Sequence, residues 1–248
     1  MGPMADPDRP SRRRSLVRTA IIWDELQALL DNATTPAQVL DIGGGTGGFA
    51  VRIAELGHQV TVMDPSPDAL AAAARRAEES GVADRVVGIQ GDLGDLAAGR
   101  LAAGLGGVDL VLCHEVFGVV GDHQAALAGI ARALRPGGAL SLLVRQRHAG
   151  VLSHAMAGHF QMALELLDNP TADREHRFTE AELRTLLEQS GYLLGSLHGV
   201  RVFTDLVPAA LVDLEPGAGS ALIDLERAVS QRPEYLTLAT QLHALSFR

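Results

Sequence analysis

Two hydrophobic periods alternate along the chain. From Ser15 to about Leu30, the apolar residues Leu16, Ile22, Trp23, Leu26, Leu29 and Leu30 recur at helical spacing, the stripe of a helix packed on a core. Short apolar runs then appear at Val39–Ile42, His58–Met63, Arg85–Gln90, Val108–Cys113 and Ala139–Val144. Each has the length of a buried strand and is bounded by glycine, proline or aspartate. Helical patterns separate them: Phe49–Leu56 stopped by Gly57, alanine-rich Asp68–Ser80, and about His123–Leu134 ahead of the Arg135-Pro136-Gly137-Gly138 turn. Strands alternating with helices require a parallel sheet with right-handed crossovers.

Beyond Val144 the alternation changes. Gly150–Leu167 is rich in helical apolar positions outside the core pattern, and residues of about 149–178 are expected to form a helical lid insertion. A further helix is expected over Thr179–Gln189, where Thr179 and Glu182 have capping-box spacing. Tyr192–Leu197 and Glu234–Ala244 read as closing strands around a helix at Ala218–Ser230. The expected architecture is α/β and Rossmann-like: a mostly parallel seven-stranded sheet with flanking helices, over residues 15–248. Residues 1–14 carry Pro3, Pro7 and Pro10 among charges and are expected to be a disordered, arginine-rich arm.

The first strand runs into Asp41-Ile42-Gly43-Gly44-Gly45-Thr46-Gly47-Gly48. Glycines there let the main chain approach a ligand that any Cβ would strike. Gly43, Gly45 and Gly48 satisfy a dinucleotide fingerprint, whereas Asp41, Gly43, Gly45 and Gly47 resemble motif I of the class I S-adenosylmethionine-dependent methyltransferases. Charge separates the two cofactors. A carboxylate beneath the loop repels a pyrophosphate and attracts the ammonium of methionine.

Ligands of such sheets bind beyond the carboxyl ends of the strands, where Asp41, Asp64, Asp92 and His114 each stand. Asp64 can accept both ribose hydroxyls of an adenosine, or act as a turn or cap acid before Pro65. Asp92 can accept from the adenine amino group, with the Leu93 amide addressing the ring, or cap the next helix. His114 is expected near the methionine portion or the substrate entrance.

Composition narrows the picture modestly. All 21 basic residues are arginine and the net charge is −9, which argues against a broad nucleic-acid-coating surface. Arg9, Arg12, Arg13, Arg14 and Arg18 still gather into a local basic patch that could touch phosphates. A single cysteine, Cys113, excludes an internal disulfide or a cysteine metal cluster, and the histidines lack metal-ligand spacing. No apolar run reaches spanning length. The expectations are a cytoplasmic protein with no metal and no membrane partner.

The resemblance extends past motif I. Leu16–Trp23, Asp41–Gly47, Gly57–Val60, Asp64, His114 and Leu134–Gly138 are followed by His148 with Met156–Phe160, Gly199–Asp205, and Leu225-Glu226 through Leu238. Together these resemble the bacterial tRNA carboxymethoxyuridine methyltransferases over roughly residues 15–243, with Arg145-Gln146 where that family has an aromatic–Asn pair. The resemblance implies a class I methyltransferase fold and S-adenosyl-L-methionine as cofactor. It also implies methyl transfer to the carboxylate of carboxymethoxyuridine at the tRNA wobble position. It assigns Arg18, Gly43, Gly44, Asp64, Leu93 and His114 to the cofactor, beside Asp41, Gly45 and Asp92 from the loop and strand ends. Arg201 and the lid around His148 become candidates for orienting the substrate. A carboxylate is already a nucleophile at neutral pH, and an arginine fork grips it with defined geometry. Arg201 could instead simply pair with Asp205, and the acceptor could be a small-molecule carboxylate or hydroxyl.

Overall fold

The computed structural model describes residues 10–248 apart from 34, 101–104, 173, 215 and 216, without the side chains of 10–18, 209, 213 and 214. Helix α1 (Pro10–Asp31) leads into β1 (Gln38–Ile42), α2 (Gly48–Glu55), β2 (Gln59–Asp64) and α3 (Pro67–Glu79). Then come β3 (Val86–Gln90), α4 (Leu93–Ala97), β4 (Val108–His114), α5 (His123–Ala133) and β5 (Leu134–Arg145). The second half holds α6 (Arg147–Met156), α7 (Phe160–Asp168), α8 (Glu180–Gln189) and β6 (Leu193–Val200). It closes with α9 (Ala209–Leu214), α10 (Ala218–Val229), α11 (Pro233–Leu236) and β7 (Gln241–Phe247).

The strands form one sheet in the order β3-β2-β1-β4-β5-β7-β6. All pairs from β3 to β5 are parallel, and β7 runs antiparallel between β5 and β6. Because side chains alternate across a strand, β1 sends Leu40 and Ile42 to one face and Val39 to the other. The first face packs under α5 and α8 with Leu127, Ile130, Leu183 and Leu187. The second lies under α1 and α2 with Ile22, Leu26, Val51 and Ile53. Both faces are covered, so the central strands read as continuous apolar runs. Among the described residues no helix is long and apolar enough to cross a membrane.

Helix α1 starts at Pro10, earlier than Ser15, so residues 10–14 of the expected arm are helical in backbone, while residues 1–9 lie outside the described residues. Three strands differ from their expected bounds, β6 by running on to Val200 rather than ending at Leu197. Strand β5 begins at Leu134, because Leu134 pairs with Val108 across a register shift and the Arg-Pro-Gly-Gly segment is carried inside the strand. The expected strand Glu234–Ala244 is instead a short helix followed by a strand from Gln241. Pro233 supplies a fixed φ at the first helical position, and that local preference overrides the alternating Tyr235-Leu236-Thr237-Leu238. The capping box at the start of α8 forms as its spacing requires: Glu182 N donates to Thr179 Oγ1 at 3.3 Å, and Thr179 N donates to Glu182 Oε2 at 2.8 Å.

Candidate functional site

The carboxyl edge of the sheet carries the polar groups. Asp41 sits in β1, 4% exposed, directly beneath the glycine loop. Residue 44 can only be glycine, since a Cβ there would lie 2.6 Å from Asp41 Oδ2 and 2.9 Å from Val62 Cγ1. Gly43 has φ +69°, and its Cβ would meet Val116 Cγ1 at 2.3 Å. Gly45, by contrast, faces open space apart from the Gly43 carbonyl at 3.9 Å. The loop therefore fits tightly against the protein below and is open above, as a cradle for a ligand must be. Burial, and next the charge of Asp64, push the Asp41 carboxyl up to about 7. Among the described side chains, no cation offsets that cost.

Asp64 ends β2 with both oxygens engaged. Oδ2 accepts from Gly45 N at 3.0 Å, and Oδ1 accepts from Ser66 N at 2.9 Å. It braces the loop and the turn before Pro65, and its remaining lone pairs are what a ribose could use. Asp92 caps α4: Asp95 N donates to Asp92 Oδ1 at 2.8 Å, and Asp92 N donates to Asp95 Oδ2 at 3.3 Å. The capping alternative for Asp92 is thus realised, while Asp92 and Leu93 also line a cavity of about 490 Å³.

Ile42, Gly43, Pro65 and Val116 face the same cavity. Its size suits a nucleoside-sized ligand, and its walls are apolar with carboxylates near the rim. Sequence reasoning missed one wall, Val119 to Asp122 with Ala125 and Ala126. The signal was an apolar stretch with two glycines directly after a strand end. This wall is braced from behind, since His176 N donates to Gly118 O at 2.8 Å.

His114 ends β4, with its ring edge-on to Phe49 at 5.1 Å; Phe49 in turn packs near Trp23 of α1 at 6.5 Å. Arg18 lies on α1, and its side chain is outside the described residues. Burial holds the His114 imidazole down to about 4, so it is neutral at pH 7.

The other half of the edge is built differently. Arg201 follows β6 with φ +61°, a left-handed conformation unusual for a side-chain-bearing residue. Three contacts impose it. Glu226, 1% exposed on α10, accepts from the amides of Val202, Phe203 and Thr204 at 2.8–2.9 Å and from Thr204 Oγ1 at 2.7 Å. Thr240 N and Oγ1 donate to Arg201 O. Arg201 Nη2 lies 2.6 Å from Asp205 Oδ2, the alternative pairing recognised in the sequence, while its buried Nε has no hydrogen-bond partner. Gln146 is buried between strands, donating to the carbonyls of Leu236 and Thr237 and capping α6 through Ala149 N. His148 is exposed on α6. Of the candidates, Gly43, Asp92 and Leu93 line the cavity; Asp41, Gly44, Gly45, Asp64, His114, His148 and Arg201 do not. Among the described residues no cluster of His, Cys, Asp and Glu could hold a metal ion.

Comparison with known proteins decides the family. The tRNA 5-carboxymethoxyuridine methyltransferase of Escherichia coli K12 is 31% identical over 231 residues, spanning 92% of this chain and 86% of that protein. This chain belongs to the S-adenosylmethionine-dependent methyltransferases. The methyltransferase domain family matches residues 40–140, the half of the enzyme that carries the glycine loop and the cavity. A ubiquinone biosynthesis O-methyltransferase of Xanthomonas euvesicatoria is 33% identical to this methyltransferase over 196 residues, 78% of the chain and 76% of that protein. The S-adenosylmethionine-dependent methyltransferase of Mesorhizobium loti shares its fold with TM-score 0.60 at 18% identity, covering 91% of this chain and 97% of the other. So does the magnesium protoporphyrin IX methyltransferase of Synechocystis with bound S-adenosylhomocysteine, at TM-score 0.60 and 15% identity over 100% and 90%. S-adenosylmethionine is the cofactor, and the open cradle above Gly45 and the unneutralised Asp41 fit its amino-acid end.

Proposed function

We propose that this methyltransferase converts the carboxylate of 5-carboxymethoxyuridine, at the wobble position of tRNA, into its methyl ester. One observation carries the reading: likeness to the tRNA-directed relative spans 92% of the chain, against 78% for the ubiquinone-pathway relative. That span includes the residues after β5, which this reading gives to the acceptor. A cytoplasmic location follows for an enzyme acting on tRNA.

In this reading the residues divide the work. Asp41 attracts the cofactor's ammonium, the amides of Gly43 to Gly45 hold its polar tail, and Asp64, Asp92 and Leu93 hold the adenosine. When bound, S-adenosylmethionine supplies a methyl group on a sulfonium. The acceptor carboxylate is ionised at pH 7, so no side chain must remove a proton. What it needs is alignment. Arg201 serves that purpose, with Asp205 holding one end of its guanidinium and α6 and α7, bearing His148, closing as a lid. The N-terminal arginines, Arg18 among them, add phosphate contacts.

A second reading, a small apolar acceptor, is favoured by one specific feature. Met156, Phe160, Leu164 and Leu167 form an exposed apolar stripe on α6 and α7, and the ubiquinone-pathway relative is also similar. Incubation with methyl-labelled cofactor separates the two. The expected outcome is base-labile label on the modified uridine of tRNA carrying carboxymethoxyuridine. Label confined to small phenols or carboxylic acids, with tRNA unlabelled, rejects the first reading in favour of the second.

A further inference from the structure

On the face covered by α1, the partly buried His114 and two buried polar side chains touch in series. His114 Nε2 lies 2.8 Å from Ser141 Oγ, and Ser141 Oγ lies 2.7 Å from His243 Nε2. Ser141 and His243 are fully buried. The outward nitrogens of both rings, His114 Nδ1 and His243 Nδ1, are buried without a hydrogen-bond partner. We propose that Ser141 and His243 are positioning residues for His114, locking the two imidazoles into opposite tautomers and so fixing whether His114 Nδ1 holds a proton or a lone pair.

Proton counting forces the coupling. Burial drives both imidazoles to the neutral form, aided at His243 by the neighbouring His114 and His198 and opposed only by Glu25. A neutral imidazole carries one N–H, and a serine hydroxyl carries one proton. Between two Nε2 atoms, Ser141 donates to one ring and accepts from the other. The ring that donates through Nε2 has a bare Nδ1, and the ring that accepts has Nδ1–H. One of the two unpartnered Nδ1 atoms is therefore a donor and the other an acceptor. In the first arrangement His114 presents a lone pair, suited to an ammonium or hydroxyl donor. In the second it presents N–H, suited to a carboxylate or ring-nitrogen acceptor. Passing from one to the other conserves protons: His114 Nε2 gives its proton to Ser141 Oγ as the serine gives its own to His243 Nε2, while one proton leaves His243 Nδ1 and one arrives at His114 Nδ1. A buried imidazole with no such partner would be free to choose its tautomer, and would lose orientation as well.

This inference rests on the reading of His114 as a cofactor contact, and the test separates the two. Long-range proton–nitrogen correlation spectra of protein with ¹⁵N-labelled histidine report each tautomer, with His114 assigned through His114→Gln. The expected result is opposite tautomers for His114 and His243, with and without S-adenosylhomocysteine. Ser141→Ala should uncouple the rings and weaken S-adenosylhomocysteine binding about five- to tenfold, the loss of one oriented hydrogen bond. Ser141→Thr, which keeps the hydroxyl, should restore both. Identical tautomers in the two rings, or unchanged affinity in Ser141→Ala, overturn the proposal while leaving the cofactor reading intact. Wild-type protein that binds no S-adenosylhomocysteine overturns both.

Discussion

The two halves of the carboxyl edge handle buried charge in opposite ways. On the side of β1 to β4, Asp64 beside the glycine loop has backbone amides for partners, and the adjoining cavity is open. Asp41 is buried with no cation beside it among the described side chains, and burial and the charge of Asp64 push its carboxyl up. On the side of β5 to β7, charges are already matched inside the protein: Arg145 with Glu175, Arg147 with Glu182, Arg201 with Asp205, and Glu226 with three amides and a hydroxyl. Glu115, itself at φ +61°, pairs with Gln241 across this side. In the proposed reading the first half is completed by the cofactor's ammonium. The second satisfies its charges largely within the protein and leaves the buried Arg201 Nε for the acceptor. In that reading one half meets the cofactor and the other the acceptor.

The largest effect is expected where the acceptor half is held together. Glu226→Ala leaves three buried amides and one hydroxyl without an acceptor, at about 3–5 kcal/mol of stability. It also frees Arg201 from its left-handed conformation. Denaturant unfolding reads the first consequence. For the second, affinity for S-adenosylhomocysteine should stay within about twofold while KM for the acceptor rises; equal losses in both would show that the halves are not independent. Next in size is Gly44→Ala in the cofactor half. Its Cβ would strike Asp41 Oδ2 at 2.6 Å, and displacing a buried carboxylate by even a fraction of an ångström should weaken cofactor binding about 100-fold. Calorimetric titration should show this, with the acceptor loop unaffected.

The contrast between the halves also explains what could be seen in the sequence. The glycine loop and the first five strands were legible because their signals are local, a few consecutive residues with one period. Asp41 near the end of β1, Gly43 just past it, and Asp92 and Leu93 after β3 stand where the sequence pattern puts them, for the same reason. Strand β7 was misplaced because Pro233 starts a helical turn inside an alternating run. The bracing groups could not be read. Ser141 meets His243 across 102 positions and Glu226 meets Val202 across 24, and nothing local distinguishes a serine in a strand or a glutamate in a helix. Arg201 was visible as a charge in an apolar run. Its positive φ and its support by Thr240 depend on long-range pairing between β6 and β7.

A smaller effect follows from protonation of Asp41. Its carboxyl is raised from 3.8 to about 7 in the folded, ligand-free protein. Between those values the folded state holds the proton more tightly than the unfolded chain. This contribution to stability is full below about pH 4 and is lost as pH rises through 7. Cofactor binding has the opposite sign, because the ammonium needs the ionised form. Affinity for S-adenosylhomocysteine should rise about tenfold per unit toward pH 7 and flatten above it. Asp41→Asn should remove the slope, and above pH 7 the ligand-free variant should melt higher than wild type. A wild-type affinity that is flat between about pH 5.5 and 8 would show that Asp41 is already ionised, and that the cofactor half is not waiting for a cation.

The smallest effect sharpens the comparison from outside both halves. Arg227 on α10 grips Asp24 on α1 through two contacts, Nε to Oδ2 at 2.7 Å and Nη2 to Oδ1 at 3.0 Å. The geometry matches that of a strong pair, yet the side chains are 48% and 44% exposed. Water and salt screen such a pair, and fixing two long side chains costs entropy, so its contribution is about 0.5 kcal/mol. Arg227→Ala should lower stability by no more than that, and less at high salt. Glu226, the preceding residue on the same helix, is expected to cost several times more. Two adjacent charges with equally short contacts then differ only in access to water. A double-mutant cycle giving the exposed pair as much energy as the buried carboxylate would mean that burial is not what sets the rigidity of the acceptor half.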